Sequence, residues 1–255
     1  KRNRFGIFTL VLILSLCGCT QDKIPISSSS DVQKEQDTLP EAEITPEEEP
    51  FLYGYQNLNE EEKTRYRQIL AGIENYEDSV TVEVCSEEEI NKVSNLVFVD
   101  HPEIFWLEQQ NYSFNQKENS DVDLLELNLV YNMGKDEIED TKQQIEAKAE
   151  EWSQELSNCE NEYDKIKYVY EFLGKNVLYD SESENNQNIQ SVFLNQSTVC
   201  MGFAKATQYL LVRNGIFCTL VTGKVIPENM EHAWNLVRIG ENYYYVDTTW
   251  SSSGF

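Results

Sequence analysis

Three residues of this chain have the types and order that thiol chemistry requires: Cys200, His232 and Asp247. Cys200 stands just before Gly202, Ala204 and Ala206, in a run of helical composition that reaches Val212 and stops at Asn214-Gly215. Gly215 suits a helix C-cap. Cys200 is therefore expected at or beside the N-terminus of a helix, where unpaired N–H groups and the helix dipole favour the thiolate, the form that attacks carbonyl carbon. The chain has two histidines. His101 precedes a proline, in a region with no nucleophile candidate, whereas His232 opens His-Ala-Trp-Asn-Leu-Val-Arg, which alternates as a strand. Tyr243 to Thr248 reads as the next strand, and the glycine-bearing segment between them makes a hairpin. A two-residue Gly240-Glu241 turn would set Asp247 opposite Trp234, one same-face step from His232. Such diagonal neighbours lie roughly 7–8 Å apart at Cα, within reach of a carboxylate–imidazole hydrogen bond. A three-residue loop would turn Asp247 to the other face.

The chemistry needs all three roles. An imidazole within reach takes the thiol proton, and a carboxylate on its far nitrogen fixes the tautomer and stabilises the imidazolium. The imidazolium then returns the proton to the leaving amine. On spacing alone, a buried thiol, a core histidine and a strand-end aspartate account for the same residues. For the oxyanion, the backbone N–H of Cys200 is the default donor, and the side-chain amide of Gln190 or Gln196 is a further candidate. Trp234 and Trp250 are expected to shield the ion pair and pack the core.

The elements that must position these groups follow from periodicity. Asn59 with Glu62 reads as a capping box opening a helix whose stripe is Tyr66, Ile69, Leu70, Ile73 and Tyr76. Val80, Val82 and Val84 alternate as a strand, and Ser86 with Glu89 opens a helix carrying Ile90, Val93 and Val97. Short aromatic strands are expected around Ile104 to Trp106 and Tyr112 to Phe114, a half-buried strand over Leu125 to Tyr131, and a long helix over about 136–157. Residues 51–157 thus read as a small α+β module without a catalytic constellation of its own. Residues 158–255 begin with a helix bearing Tyr163, Ile166, Tyr170 and Leu173, pass through a polar loop over 181–188, and carry the three candidate residues.

The N-terminus has a different logic. Lys1, Arg2 and Arg4 precede the apolar run Phe5 to Leu16, too short to span a bilayer but of signal-peptide proportions. It leads into Leu16-Cys17-Gly18-Cys19, which resembles a bacterial lipobox; residues 1–19 then form a lipoprotein signal peptide, and Cys19 is the lipidation site that resemblance implies. An ordinary cleaved secretion signal is the simpler alternative. Residues 20–50, with four prolines, Ser27 to Ser30 and Glu47 to Glu49, lack a hydrophobic period and are expected to be a disordered acidic linker. With 45 acidic against 20 basic residues, the formal charge of −25 repels nucleic acid and anionic headgroups. Membrane attachment is therefore expected through lipid, with no nucleic acid partner.

The remaining thiols, Cys85, Cys159 and Cys218, show no CxxC spacing and no disulfide framework, though a Cys85–Cys159 bridge stays open. No calcium-loop pattern occurs. No metal and no cofactor are expected.

Four blocks in order carry a resemblance: Val199-Cys200-Met201-Gly202-Phe203-Ala204; Asn214-Gly215-Ile216 with Val221-Thr222-Gly223; Glu231-His232-Ala233-Trp234-Asn235; and Tyr245-Val246-Asp247-Thr248-Thr249-Trp250. Together they resemble the transglutaminase-like superfamily over roughly residues 160–255. The resemblance implies an α+β, papain-like core in which a Cys-bearing helix packs on an antiparallel sheet, with Cys200 as nucleophile, His232 as base and Asp247 as orienting acid. The leader, linker and first module are similar to those of Gram-positive surface lipoproteins. The family usually continues its sheet past the Asp strand, so the chain is expected to be a fragment. The implied activity is acyl transfer from peptide or protein amides at the outer face of the cell membrane, with water as acceptor (a cysteine peptidase or amidase) or a lysine amine (a cross-linking transglutaminase). A non-catalytic surface scaffold that retains the fold is the competing reading, and a solute-binding lipoprotein the weakest.

Overall fold

The capping box read at Asn59 is formed in the computed structural model: the Asn59 side chain accepts from Glu62 N–H at 3.0 Å, and the Glu62 carboxylate accepts from Asn59 N–H at 2.9 Å. The structure describes residues 39–108, 114–117, 124–227 and 229–253. The leader with Cys19, residues 20–38 and the Tyr112 end of one expected strand lie outside the described residues. Among the described residues no helix is long and apolar enough to cross a membrane.

After a 3-10 turn at Glu49–Phe51, the first half of the chain contains α1 (Tyr53–Gln56), α2 (Glu60–Glu74), β1 (Ser79–Glu83), α3 (Glu87–Asp100), β2 (Phe114–Lys117), β3 (Leu124–Asn128) and α4 (Lys135–Ser153). Its antiparallel sheet has the order β1-β3-β2, with Val80 opposite Leu127 and Val82 opposite Leu125. The second half contains α5 (Glu162–Asn176), β4 (Leu178–Tyr179), a π-helical turn at Ser191–Asn195, β5 (Ser197–Thr198), α6 (Cys200–Arg213), β6 (Cys218–Val225), β7 (Met230–Ile239) and β8 (Asn242–Val246). Here β4 and β5 pair in parallel, and β6-β7-β8 form an antiparallel sheet. The architecture is α+β, as expected.

No break in packing marks residue 157. One hydrophobic cluster runs from Leu52 to Val246, and the described residues form one compact unit. Trp152 of α4 sits between Phe172 of α5 and Phe193, with ring centroids at 5.1 and 5.0 Å. Two expectations require correction. The end of the segment read as linker, residues 39–50, is structured where described: Ala42 N–H donates to Arg67 C=O at 2.9 Å, Arg67 pairs with Glu41, and Ala42 and Ile44 pack on the core. Two apolar side chains and one ion pair across sequence suffice where local period is absent. Ile104 to Trp106 is not a strand; the segment is buried, but only Leu107 makes a bridge, to Tyr131. Aromatic content marked its burial, and burial was met by packing without a ladder.

The helix that begins at Cys200 is held from several directions. Gln208 Nε2 donates to Val99 C=O at the end of α3, and Arg213 pairs with Glu146 of α4 at 2.6 Å. Lys205 is buried on the same helix with no hydrogen bond or ion pair among the described residues. Its burial pushes the ammonium down from 10.5 to about 8, with Glu103 opposing only in part. Between those values the unfolded chain holds a proton that the folded chain lacks, so stability from this group rises with pH across the window. Below pH 8 both states are protonated and the fold carries the whole cost, on the order of 3 kcal/mol. Lys205→Met should therefore be more stable than the parent at pH 7 by about that amount, with the gain shrinking above pH 8 and gone near 10.5. Urea midpoints of both proteins across this range check it; a gain independent of pH contradicts it.

Candidate functional site

The β7–β8 hairpin closes through Gly240 and Glu241, with Ile239 opposite Asn242 and Asn235 opposite Val246. This is the two-residue turn, and extending its register sets Asp247 opposite Trp234, diagonal to His232. The side chains meet: His232 Nε2 lies 2.7 Å from Asp247 Oδ2. A carboxylate can only accept, so Nε2 carries the hydrogen and Nδ1 of the neutral ring keeps its lone pair. That is the tautomer a base acting through Nδ1 needs. Trp250 Nε1 stands 3.3 Å from the same Nε2. Since Nε2–H is already donated to Asp247, the indole N–H has no lone pair to meet there, and the contact is one of packing. The second Asp247 oxygen accepts from Thr249 N–H at 3.2 Å, which fixes the carboxylate.

Aromatic rings enclose His232. Trp234 stacks on His232 at 5.7 Å between centroids and Trp250 tilts against it at 6.1 Å, leaving His232 7% exposed. Gly223, opposite His232 on β6, makes room for this: a Cβ there would come within 2.7 Å of the Trp234 ring. The two tryptophans thus flank the His232–Asp247 contact, though Trp250, 49% exposed, is not a core residue as the sequence reading expected.

Cys200 is the first residue of α6, half-buried and unpaired, like Cys85 and Cys159; Cys218 is buried, and all four thiols are free. Helices α2, α3 and α5 each have a side-chain cap from Asn59, Ser86 or Asn161, whereas Val199 gives α6 none. The leading N–H groups of α6 are thus left without a capping side chain and available to an anion at the thiol. The segment before Cys200 is clamped by Thr198, whose Oγ1 donates to Asn186 C=O at 2.9 Å and lies 2.8 Å from Ser191 Oγ. Gly202 permits the clamp, because a Cβ would fall 1.9 Å from Thr198 Oγ1.

Two ties join the N-terminal half of α6 to the hairpin. Asn235 Nδ2, fully buried, donates to Ala204 C=O at 2.9 Å, and Thr207 Oγ1 lies 2.9 Å from Thr248 Oγ1. The structure thus joins His232 to Asp247 directly and brings α6 onto the same sheet. No hydrogen bond joins Cys200 Sγ to His232. Gln190 is half-buried with Oε1 unpartnered, Gln196 is exposed with φ +53, and neither hydrogen-bonds to Cys200. Sequence reasoning missed the roles of Asn235 and Tyr179. Tyr179 pairs with Thr198, and burial together with the closeness of Cys200 raises its phenol above the usual value. Asn235 had a signal: a polar residue on the apolar face of an alternating strand. Tyr179 had none, because a two-residue parallel pairing leaves no period. Among the described residues no group of three or more His, Cys, Asp or Glu side chains is placed to hold a metal ion.

Comparison with known proteins places this site in a class. Residues 150–248 match the family model of the transglutaminase-like superfamily, so this part of the chain is a transglutaminase-like domain. It is 22% identical over 112 residues to the kyphoscoliosis peptidase of Mus musculus, a match covering 38% of this chain and only 17% of that relative. Among solved structures, a TGase is 17% identical with a TM-score of 0.40, over 69% of this chain and 52% of the other. The periplasmic domain of TgpA from Pseudomonas aeruginosa is 11% identical with a TM-score of 0.34, over 69% of each chain.

Proposed function

We propose that the chain is a cell-surface thiol acyl-transfer enzyme acting on peptide or protein amides through Cys200, His232 and Asp247. The observation that carries this reading is the 2.7 Å contact of His232 Nε2 with Asp247, which leaves Nδ1 as the free base on a sheet to which the Cys200 helix is tied. In the proposed reaction the Cys200 thiolate attacks the amide carbon, with its proton held on His232 Nδ1. The C–N bond breaks as that proton passes to the leaving amine, and a thioester remains on Cys200. Uncapped N–H groups of α6 stabilise the oxyanion. Water then attacks the thioester, His232 takes its proton, and the carboxylate departs as the thiol reforms.

Hydrolysis is the favoured outcome because the entrance is wet: Leu178 and Tyr179, on the strand beside Cys200, are 72% and 58% exposed. Transfer to a lysine amine, which would cross-link proteins, requires water to be kept from the thioester. The name of the murine relative, a peptidase, is compatible with the hydrolytic reading. Incubation with a p-nitrophenyl acyl ester, followed by intact mass and peptide mapping, tests the proposal. The acyl group should appear on Cys200, be absent in Cys200→Ala, and form about 10²–10⁴ times more slowly in His232→Ala. An added alkylamine should divert only a minor share from water. Failure of folded protein to acylate at Cys200 would replace this reading by a non-catalytic scaffold.

Surface attachment through lipid on Cys19 belongs to the same proposal and rests on the leader alone. Cys19→Ser should shift the protein from the membrane fraction to the soluble fraction, and unchanged fractionation would overturn it.

A further inference from the structure

Asp247 opens a turn that its own side chain closes. Its Oδ1 accepts from Thr249 N–H and its C=O from Trp250 N–H, both at 3.2 Å, which leaves Oδ2 for His232 Nε2 at 2.7 Å. Thr248 is the middle residue of this Asx-type turn. The carboxylate is therefore aimed by a backbone turn, and whatever holds residue 248 holds the aim.

The Cys200 helix holds Thr248. Its Oγ1 lies 2.9 Å from Thr207 Oγ1, and both residues are buried, at 2% and 1% exposure, out of reach of bulk water. A hydroxyl has one proton to give. Thr207 Oγ1 gives its proton to Phe203 C=O at 2.8 Å. Thr248 Oγ1 then donates to Thr207, and its hydroxyl has no other hydrogen bond among the described residues. The chain of donors runs from Thr248 to Thr207 to Phe203. Thr207 stands seven residues past Cys200, on the same face of α6 and about 10 Å along its axis. The helix face that carries the thiol is thus tied to the residue that follows the acid. From the other side α5 closes on the same turn. Gly174 lacks the Cβ that would fall 1.8 Å from Ser251 Oγ, and Tyr170 Oη lies 3.5 Å from Trp250 C=O.

We infer that Thr248 is a positioning residue: its hydrogen bond to Thr207 fixes the turn that aims Asp247 Oδ2 at His232. It acts through Asp247 and takes no part in bond making. With the aim kept, His232 carries its hydrogen on Nε2 and keeps the Nδ1 lone pair. With the turn released, the carboxylate loses its alignment and the ring divides between its two tautomers, so part of the population has no base at Nδ1. The consequence for Cys200 rests on the proposed thiol chemistry; the consequence for the ring does not.

Thr248→Val keeps the shape of the side chain and removes the donor, and Thr207 still spends its proton on Phe203, so no buried polar group is left unpaired. Thr248→Ser keeps the donor. Ring ¹⁵N shifts of His232, assigned by their loss in His232→Ala, report the tautomer of the neutral ring without any reaction. They should show Nε2–H in the parent and in Thr248→Ser, and a mixture of tautomers in Thr248→Val. Iodoacetamide labelling of Cys200 at pH 7 should slow about ten-fold in Thr248→Val and return to within about two-fold of the parent in Thr248→Ser. If Thr248→Val does not fold, Thr248→Ala carries the same comparison. An unchanged tautomer and labelling rate in a folded variant without the hydroxyl would overturn the inference and leave Thr248 a core residue. Failure of Thr248→Ser to restore the parent's tautomer would overturn it too. A tautomer that shifts as expected, in a protein whose Cys200 labels no faster than Cys85 or Cys159, would support the positioning role and overturn the proposed thiol chemistry.

Discussion

The amide of Asn235 donates from the middle of β7 to the Ala204 carbonyl, one turn beyond Cys200. Because the group is fully buried, water cannot substitute for either partner, and loss of the bond would remove a directional tie between helix and sheet. Thr207 and Thr248 make a second tie on the Asp247 side. Cys200 and His232 come from different elements, so their relative placement is a property of this packing and not of either motif. The enclosed His232, the Trp234 stack and the space left by Gly223 all presuppose that β7 lies where Asn235 holds it.

The other anchors of α6 explain why a thiol domain and the preceding residues share one core. Gln208 reaches α3 and Arg213 reaches α4, so the Cys200 helix is fixed at its far end by the first half of the chain. The buried Lys205 sits on the same helix at an energetic cost that these contacts outweigh. One end of α6 presents uncapped N–H groups to a thiol. The other, at Tyr209 and Arg213, borders an acid-lined cavity whose carboxylates add to the negative end of the helix dipole.

The local parts of this arrangement were legible in the sequence. The Asn59 box, the Ser86 cap and the helix stop at Asn214-Gly215 depend on residues within a few positions, and the Gly240-Glu241 turn fixes register over the whole hairpin. From that register alone His232 and Asp247 fall together. What escaped depends on contacts distant in sequence. The packing of residues 39–50 rests on Arg67, the buried Ile104 to Trp106 segment has no ladder partner, and Tyr179 comes beside Cys200 through a two-residue pairing. The cavity beside Tyr209 and Arg213 draws its walls from six separate stretches of chain, so no window of sequence contains it.

On the proposed function Cys200 is more reactive than a half-buried thiol outside the site. Cys85 and Cys159 are half-buried like Cys200 and serve as internal standards, with burial raising both of their thiols. The direct measurement is the rate of iodoacetamide labelling of each cysteine at pH 7 in folded protein, by peptide mass spectrometry, in the parent and in His232→Ala. The account predicts that Cys200 labels at least about ten-fold faster than Cys85 and Cys159 in the parent, and falls to their rate when His232 is removed. Labelling of Cys200 at the rate of the other two in both proteins would contradict it.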